Sequence, residues 1–232
     1  MTDLHTHLLC GIDDGAPDMK TSIDMLKIMS AQGVRTVVAT PHFNYSNVPP
    51  EEFIRKRDLI AQKLKPEAEK LGIKLLCASE LVLGPQLLML DDIKGLCIEG
   101  TRNVLLEMPF TKDWDSSVYD NLTNLIDYFN VTPIIAHVER YNPVIRNVKN
   151  AIKLIELGAY LQLDASSLFE NVYKKTAKKL LKEELIAVVA SDAHNTTARP
   201  PEALTQAYEE IEQLLSKEAV MQIKENADNM VK

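Results

Sequence analysis

The sequence predicts an α/β protein whose parallel sheet closes into a barrel. Three observations lead there: seven short apolar runs rich in β-formers, segments of helical period between them, and a length of 232 residues that accommodates about seven strand–helix units. Each run is continuously apolar, as a strand buried on both faces is, and lacks the alternation of an exposed antiparallel edge. An open, doubly wound sheet is the second reading. No linker rich in Pro, Gly or Ser divides the chain, so residues 1–232 are read as a single domain.

The runs are DLHTHL (3–8), TVVATPH (36–42), IKLLCASEL (73–81), NVLLEMP (103–109), TPIIAHV (132–138), AYLQLDAS (159–166) and IAVVASD (186–192). Between the first two, SIDMLKIMSAQG (22–33) carries Ile23, Leu26, Met29 and Ser30 at helical spacing and stops on Gly33. The next helix, 51–72, opens after two prolines and closes on Gly72, with Pro66 expected to break or kink it. Amphipathic segments follow at 116–130, 147–158 and 172–185, and two more helices, 201–215 and 217–231, finish the sequence.

A formal charge of −7 disfavours a nucleic acid or an anionic membrane as partner, because phosphate backbones require a basic surface. No apolar run reaches the length of a membrane span, and MTDLHTHLL has no basic region ahead of a long apolar core. A cytoplasmic location is expected. Cys10, Cys77 and Cys97 are odd in number and scattered, which reads as reduced core thiols. An arginine six positions after a cysteine, as thiol-dependent tyrosine phosphatases need, is absent: Ala16, Leu83 and Asn103 stand there. Phosphate-cradling glycine loops are absent too.

All five histidines fall at strand C-terminal ends: His5 and His7 on the first, His42 on the second, His137 on the fifth, His194 after the seventh. In a βα barrel these ends meet on the face where active sites are built. Glu80, Glu107 and Asp192 end the third, fourth and seventh strands, and Asp14 lies in the turn after the first. Carboxylates amid apolar residues need a cation. His5 and His7, two apart, project from one strand face. A hydrogen-bonded histidine is the ordinary reading of any single one, but all five at strand ends point to a metal site. The candidate ligands are His5, His7, Asp14, His42, Glu80, Glu107, His137, Asp192 and His194. They exceed what one ion uses, so two or three divalent ions are expected, with imidazole and carboxylate donors suiting manganese, iron or zinc. Asp3 is expected to orient a ligand imidazole, and Asp13 to hold the turn before Gly15. Glu139 reads as a surface charge, with a ligand role as the lesser alternative. Asp164 also ends a strand, but its direction is open. Arg140 and Arg199 follow ligand histidines closely, and a guanidinium fork there suits phosphate; a salt bridge to a nearby acid is the alternative.

In order from residue 3 to about 204, DLHTH, the DDGA turn, ATPH, ASEL, LLEMP, HVERY and SDAHN followed by RPP together resemble the PHP (polymerase and histidinol phosphatase) superfamily. Within it the chain is most similar to the bacterial manganese-dependent tyrosine-protein phosphatases of capsule and exopolysaccharide operons. The resemblance implies a distorted, TIM-like (β/α)7 barrel, a trinuclear centre that is usually manganese, and hydrolysis of phosphotyrosine on the C-terminal tail of a bacterial tyrosine kinase. It places metal ligands on the nine residues above and phosphate-binding arginines on Arg140 and Arg199. The sequence departs from the family pattern at Val138, where proline is usual, in ASSLFENVY, which lacks the family's glycines, and in FNYSNVPP, which reads as short. These departures bear on substrate preference.

The expected chemistry is phosphomonoester hydrolysis, with bound metal lowering the pKa of water from about 15.7 to near 7 and both arginines neutralising phosphoryl charge. A phenolate of pKa about 10 leaves with little help from a general acid, which favours aryl esters. Phe43 or Tyr45 is a candidate to stack on the substrate ring, with packing as the alternative. Two competing readings are a small-molecule phosphomonoesterase such as a histidinol phosphatase, and a catalytically silent module that masks the kinase tail. The acidic surface disfavours an exonuclease.

Overall fold

Seven parallel strands, two of them interrupted, form the wall of a closed barrel in the computed structural model, which describes residues 1–45 and 48–232. β1 (Thr2–Thr6) pairs with β2 (Thr36–Ala39), and β2 with β4 (Lys74–Cys77). The same two segments pair again as β3 (His42–Phe43) and β5 (Glu80–Val82). From β5 the sheet runs on through β6 (Asn103–Glu107), β7 (Thr132–Ile135), β8 (Tyr160–Asp164) and β9 (Val188–Ala190). The first interruption falls at Pro41, which has no N–H to give. Pairing nevertheless carries through: Ala78 N donates to Ala39 O at 2.8 Å and Glu80 N to Pro41 O at 3.2 Å. The ring closes beyond β9, where Asp192 N donates to His5 O (3.0 Å) and His7 N to Ala193 O (2.8 Å). The open sheet is thereby excluded.

Helices pack outside the wall. They are α1 (Met19–Ala31), α2 (Pro50–Lys70), α3 (Ser116–Phe129), α4 (Asn142–Arg146), α5 (Lys149–Glu156), α6 (Lys174–Lys182), α7 (Ala203–Leu214) and α8 (Lys217–Asn229). α1 starts earlier than the apolar period predicts, because Asp18 caps it, accepting from Thr21 N at 2.8 Å. α2 runs unbroken through Pro66, contrary to expectation. That proline lies on the exposed face, where water can solvate the carbonyl left without its donor. α4 has no counterpart in the sequence reading. Between β5 and β6 only single 3₁₀ turns occur, at Leu87–Met89 and Lys94–Leu96.

Two apolar layers hold the barrel. One lies between strands and helices. The other fills the interior with Leu4, Val38, Leu76, Leu105, Ile134 and Val188, and is closed below by Ala227 and Met230 at the end of α8. Asn103 Nδ2 donates to Met230 O at 2.7 Å and Asn226 Nδ2 to Ala187 O at 3.0 Å, fixing that plug. The strand period of two carries the interior face upward from apolar to polar. Ala78 is followed by Glu80, Leu105 by Glu107 and Ala190 by Asp192. β1 breaks the period. Its pairing slips between Asp3 and Thr6, so Leu4 packs in the interior and His5 also joins the polar layer above. Thr6 N donates to Thr40 Oγ1 (3.0 Å) and Thr6 Oγ1 to Val38 O (2.9 Å), side-chain bonds that repair the displaced ladder. No helix among the described residues is long and apolar enough to cross a membrane.

Candidate metal centre

The C-terminal mouth of the barrel gathers all nine candidate ligands. His5 Nε2 lies 3.1 Å from His7 Nε2, 3.2 Å from Glu80 Oε2 and 3.3 Å from Asp192 Oδ1. His7 Nε2 lies 3.3 Å from Glu80 Oε2 and 3.4 Å from Asp192 Oδ1. Across the mouth, His137 Nε2 reaches Glu80 Oε1 at 2.9 Å and Glu107 Oε1 at 3.6 Å. His42 Nδ1 is 3.1 Å from Glu80 Oε2. Asp14 Oδ1 stands 3.7 Å from His42 Nε2 and 3.5 Å from His194 Nε2. Asp14 and His42 form the rim, with side chains 66% and 39% exposed; Glu80 and Asp192 lie buried at the base.

Local backbone conformation delivers several of these groups. His137 and Asp192 adopt left-handed φ values of 34° and 49°, a backbone conformation that non-glycine residues take infrequently. The turn that carries Asp14 folds back on β1 through Ala16 N donating to His7 O at 2.9 Å. A Cβ on Gly15 would stand 2.0 Å from that carbonyl, so only glycine allows the approach.

The supporting contacts differ from expectation. Asp13 does more than hold its turn: it accepts from Gly15 N (3.0 Å), His7 Nδ1 (2.7 Å) and His42 N (2.9 Å), thus aiming one imidazole and one strand. Asp3 orients no ring. It accepts from Ser191 N (3.0 Å) and so ties β1 to the end of β9. Gln162, overlooked in the sequence, takes the expected role of Asp3: its Oε1 lies 3.1 Å from His5 Nδ1 and accepts from His137 N at 2.9 Å. Its signal was a lone amide inside an apolar strand. Glu139 is neither surface charge nor part of the cluster. It is fully buried, accepts from Ser167 Oγ at 2.5 Å, and burial lifts its carboxyl to about 7 against the pull of Arg140.

Arg140 and Arg199 converge on one atom, Asp192 Oδ2; Arg140 Nη1 is 3.0 Å away and Arg199 Nη2 is in direct contact. Asp164 pairs with Arg140 Nη2 and accepts from Ser166 N at 2.9 Å, so it fixes the guanidinium from behind. Arg199 Nη1 also lies 2.8 Å from His194 Nε2. The loop ASSLFENVY folds as a 3₁₀ turn, Ala165–Leu168, whose Ser167 serves Glu139. Val138 is a buried core residue. The segment FNYSNVPP falls partly outside the described residues. Phe43 is buried against Phe53, at 5.0 Å between rings, and cannot meet a substrate.

The electrostatics call for positive charge. Burial and the adjacent Glu80 push Glu107 up to about 7. Burial works against the charge on Glu80 and Asp192 too, yet His5 and the other imidazoles hold both well below the usual carboxylate range. Burial and the charge on His7 take His194 down to about 4. Donor atoms converge in three groups, each within 4.8 Å: His7, Asp14, His42 and His194; His5, His7 and Glu80; Glu80, Glu107 and His137. Glu80, with two carboxylate oxygens, and His7, whose Nε2 is its one free nitrogen because Nδ1 is on Asp13, each belong to two of these groups. The donors are nitrogen and oxygen alone; burial lifts the Cys77 and Cys97 thiols to about 11. These residues fit a cluster of divalent ions.

The family model for capsular polysaccharide synthesis proteins, CpsB/CapC, matches residues 1–232. The chain belongs to that family. It is 32% identical over 246 residues to the tyrosine-protein phosphatase CpsB of Streptococcus agalactiae serotype V, covering 100% of this chain and 98% of the relative. It is 34% identical over 213 residues to a putative tyrosine-protein phosphatase CapC of Staphylococcus aureus, covering 86% and 79%. Among solved structures, one from the work on YwqE of Bacillus subtilis and CpsB of Streptococcus pneumoniae, described as unique metal-dependent tyrosine phosphatases, superposes with a TM-score of 0.85 at 28% identity. That match covers 100% of this chain and 94% of the other. A β-aspartyl dipeptidase from Fervidobacterium islandicum AW-1 shares the fold alone, with a TM-score of 0.62 at 13% identity over 99% of this chain and 74% of the other.

Proposed function

We propose that this chain is a metal-dependent protein-tyrosine phosphatase, a single PHP-type domain over residues 1–232 that works in the cytoplasm. The observation that carries the reading is the meeting of two guanidiniums with a buried cluster of imidazoles and carboxylates at one barrel mouth. Family membership and the names of the relatives support it. The substrate is a phosphotyrosine protein, and the C-terminal tail of a bacterial tyrosine kinase that regulates capsule or exopolysaccharide synthesis is the specific proposal.

His5, His7, Asp14, His42, Glu80, Glu107, His137, Asp192 and His194 would hold two or three divalent ions; five imidazoles and four carboxylates suit manganese, iron or zinc, and manganese is proposed first on the resemblance to manganese-dependent tyrosine phosphatases. Bound there, the ions supply Lewis acidity and hydroxide at neutral pH. Arg199, at the rim, receives the phosphoryl oxygens, and Arg140, braced by Asp164, meets them deeper in. Both are then exchanged from Asp192, whose second oxygen faces His5 and His7. Asp13 and Gln162 keep the His7 and His5 rings aimed. The phenolate, a good leaving group, needs little help from a general acid.

Turnover of a phosphotyrosyl peptide should exceed that of histidinol phosphate by more than tenfold in kcat/KM. The reverse order would make this a small-molecule phosphomonoesterase. Full metal occupancy without turnover of any phosphate ester would leave only a masking module.

A further inference from the structure

We propose that Phe110 is the ring subsite for the aryl group of the substrate, a role that rests on the aryl phosphatase reading above. Phe110 follows Glu107 on the loop leaving β6, and 58% of it is exposed. Its ring stacks on His137, with centroids 5.8 Å apart and planes at 27°, and lies 4.8 Å from the ring of Tyr141. Among the described residues, these two are the non-histidine rings that touch a candidate ligand imidazole, and Tyr141 is fully buried.

The mount is rigid. Tyr141 accepts from Met108 N at 2.9 Å, packs against Trp114 at 5.4 Å, and Trp114 Nε1 donates to Pro109 O at 3.0 Å. Both residues before Phe110 are therefore anchored, and its ring lies on the His137 imidazole while more than half of it stays exposed. An exposed Phe is ordinary on a surface. One clamped by an aromatic stack at the lip of a charged pocket is built to meet an apolar group that enters with a charged one. A phenyl ester does this: its ring takes the offset or edge-on geometry that aromatic pairs prefer, at about 4.5–7 Å between centroids, while its phosphate enters the cluster. Of the two residues the sequence offered for this part, Phe43 points into the core, and Tyr45 packs half-buried against it with its hydroxyl donating to Gln86 Oε1 at 3.4 Å.

Contact with the unreacting ring is made equally in ground and transition states, so it acts on binding and hence on KM. The test uses the metal-loaded full chain with para-nitrophenyl phosphate turnover, inhibited by phenylphosphonate and by methylphosphonate. In Phe110→Ala, and in Phe110→Leu, which keeps the bulk and loses the ring face, the preference for phenylphosphonate should fall about tenfold, with KM for the aryl ester rising and kcat changing little. Phe110→Trp should restore the preference. If the preference survives in both ring-less variants, or the loss falls on kcat, the ring subsite is overturned while the phosphatase reading stands. A wild-type protein that hydrolyses no ester overturns the phosphatase reading and this subsite with it.

Discussion

Asp13 and Asp14 are adjacent in sequence and opposite in environment. Asp13 is mostly buried and held at about 2, since burial raises its pKa but hydrogen bonds from His7, His42 and Gly15 lower it further. Asp14 stands exposed at the rim. Replacing Asp13 by Ala should weaken metal binding and turnover about 10- to 100-fold, as expected when the partner that aims a ligand is lost; calorimetric titration with manganese reads the first effect. His42→Ala and Arg199→Ala should each lower para-nitrophenyl phosphate turnover by more than tenfold, and a smaller loss would remove that residue from the site. The candidate cluster was legible in the sequence because its members mark strand ends where the buried face turns polar. The parts of Asp3, Asp13 and Gln162 were not, because what a ring nitrogen or a backbone amide touches is settled by folding, over 157 positions between His5 and Gln162 and 188 between Asp3 and Ser191. Glu139 was misjudged for the same reason: nothing local announces a carboxyl sealed behind Ser167.

Among the elements, β1 and its following turn carry the heaviest constraint. The slip in β1 and the contact of Gly15 with the His7 carbonyl must both hold for the histidines and Asp14 to meet. Gly15→Ala should therefore destabilise the protein and lower its metal occupancy together, which thermal unfolding and elemental analysis would show. α8 seals the opposite end. Met230→Ala, which removes a buried side chain from the interior, should cost about 2–5 kcal/mol in urea unfolding while leaving the mouth intact. Strands and helices were readable from period and caps. α4, the 3₁₀ turns and the passage of α2 through Pro66 were not, since short turns carry no period and an exposed proline is tolerated where water replaces the lost bond.

At the scale of the molecule, closure of the barrel between β1 and the end of β9 makes one polar mouth of residues spread from His5 to Arg199. Seven apolar runs with intervening helices implied such a barrel, but the closing bonds at His5, His7, Asp192 and Ala193 could be read only from the structure. A mouth that concentrates buried carboxylates and imidazoles gains stability from any cation it binds when folded and not when unfolded. The midpoint of thermal unfolding should therefore rise with added manganese and fall on chelation. The central claim meets its most direct test in metal analysis of protein purified without chelator, paired with phosphotyrosyl-peptide turnover before chelation, after it, and after return of manganese, iron or zinc. The account predicts about two or three equivalents of metal per chain, activity lost on chelation, and activity restored best by manganese. Undiminished turnover by protein stripped of all metal would contradict it.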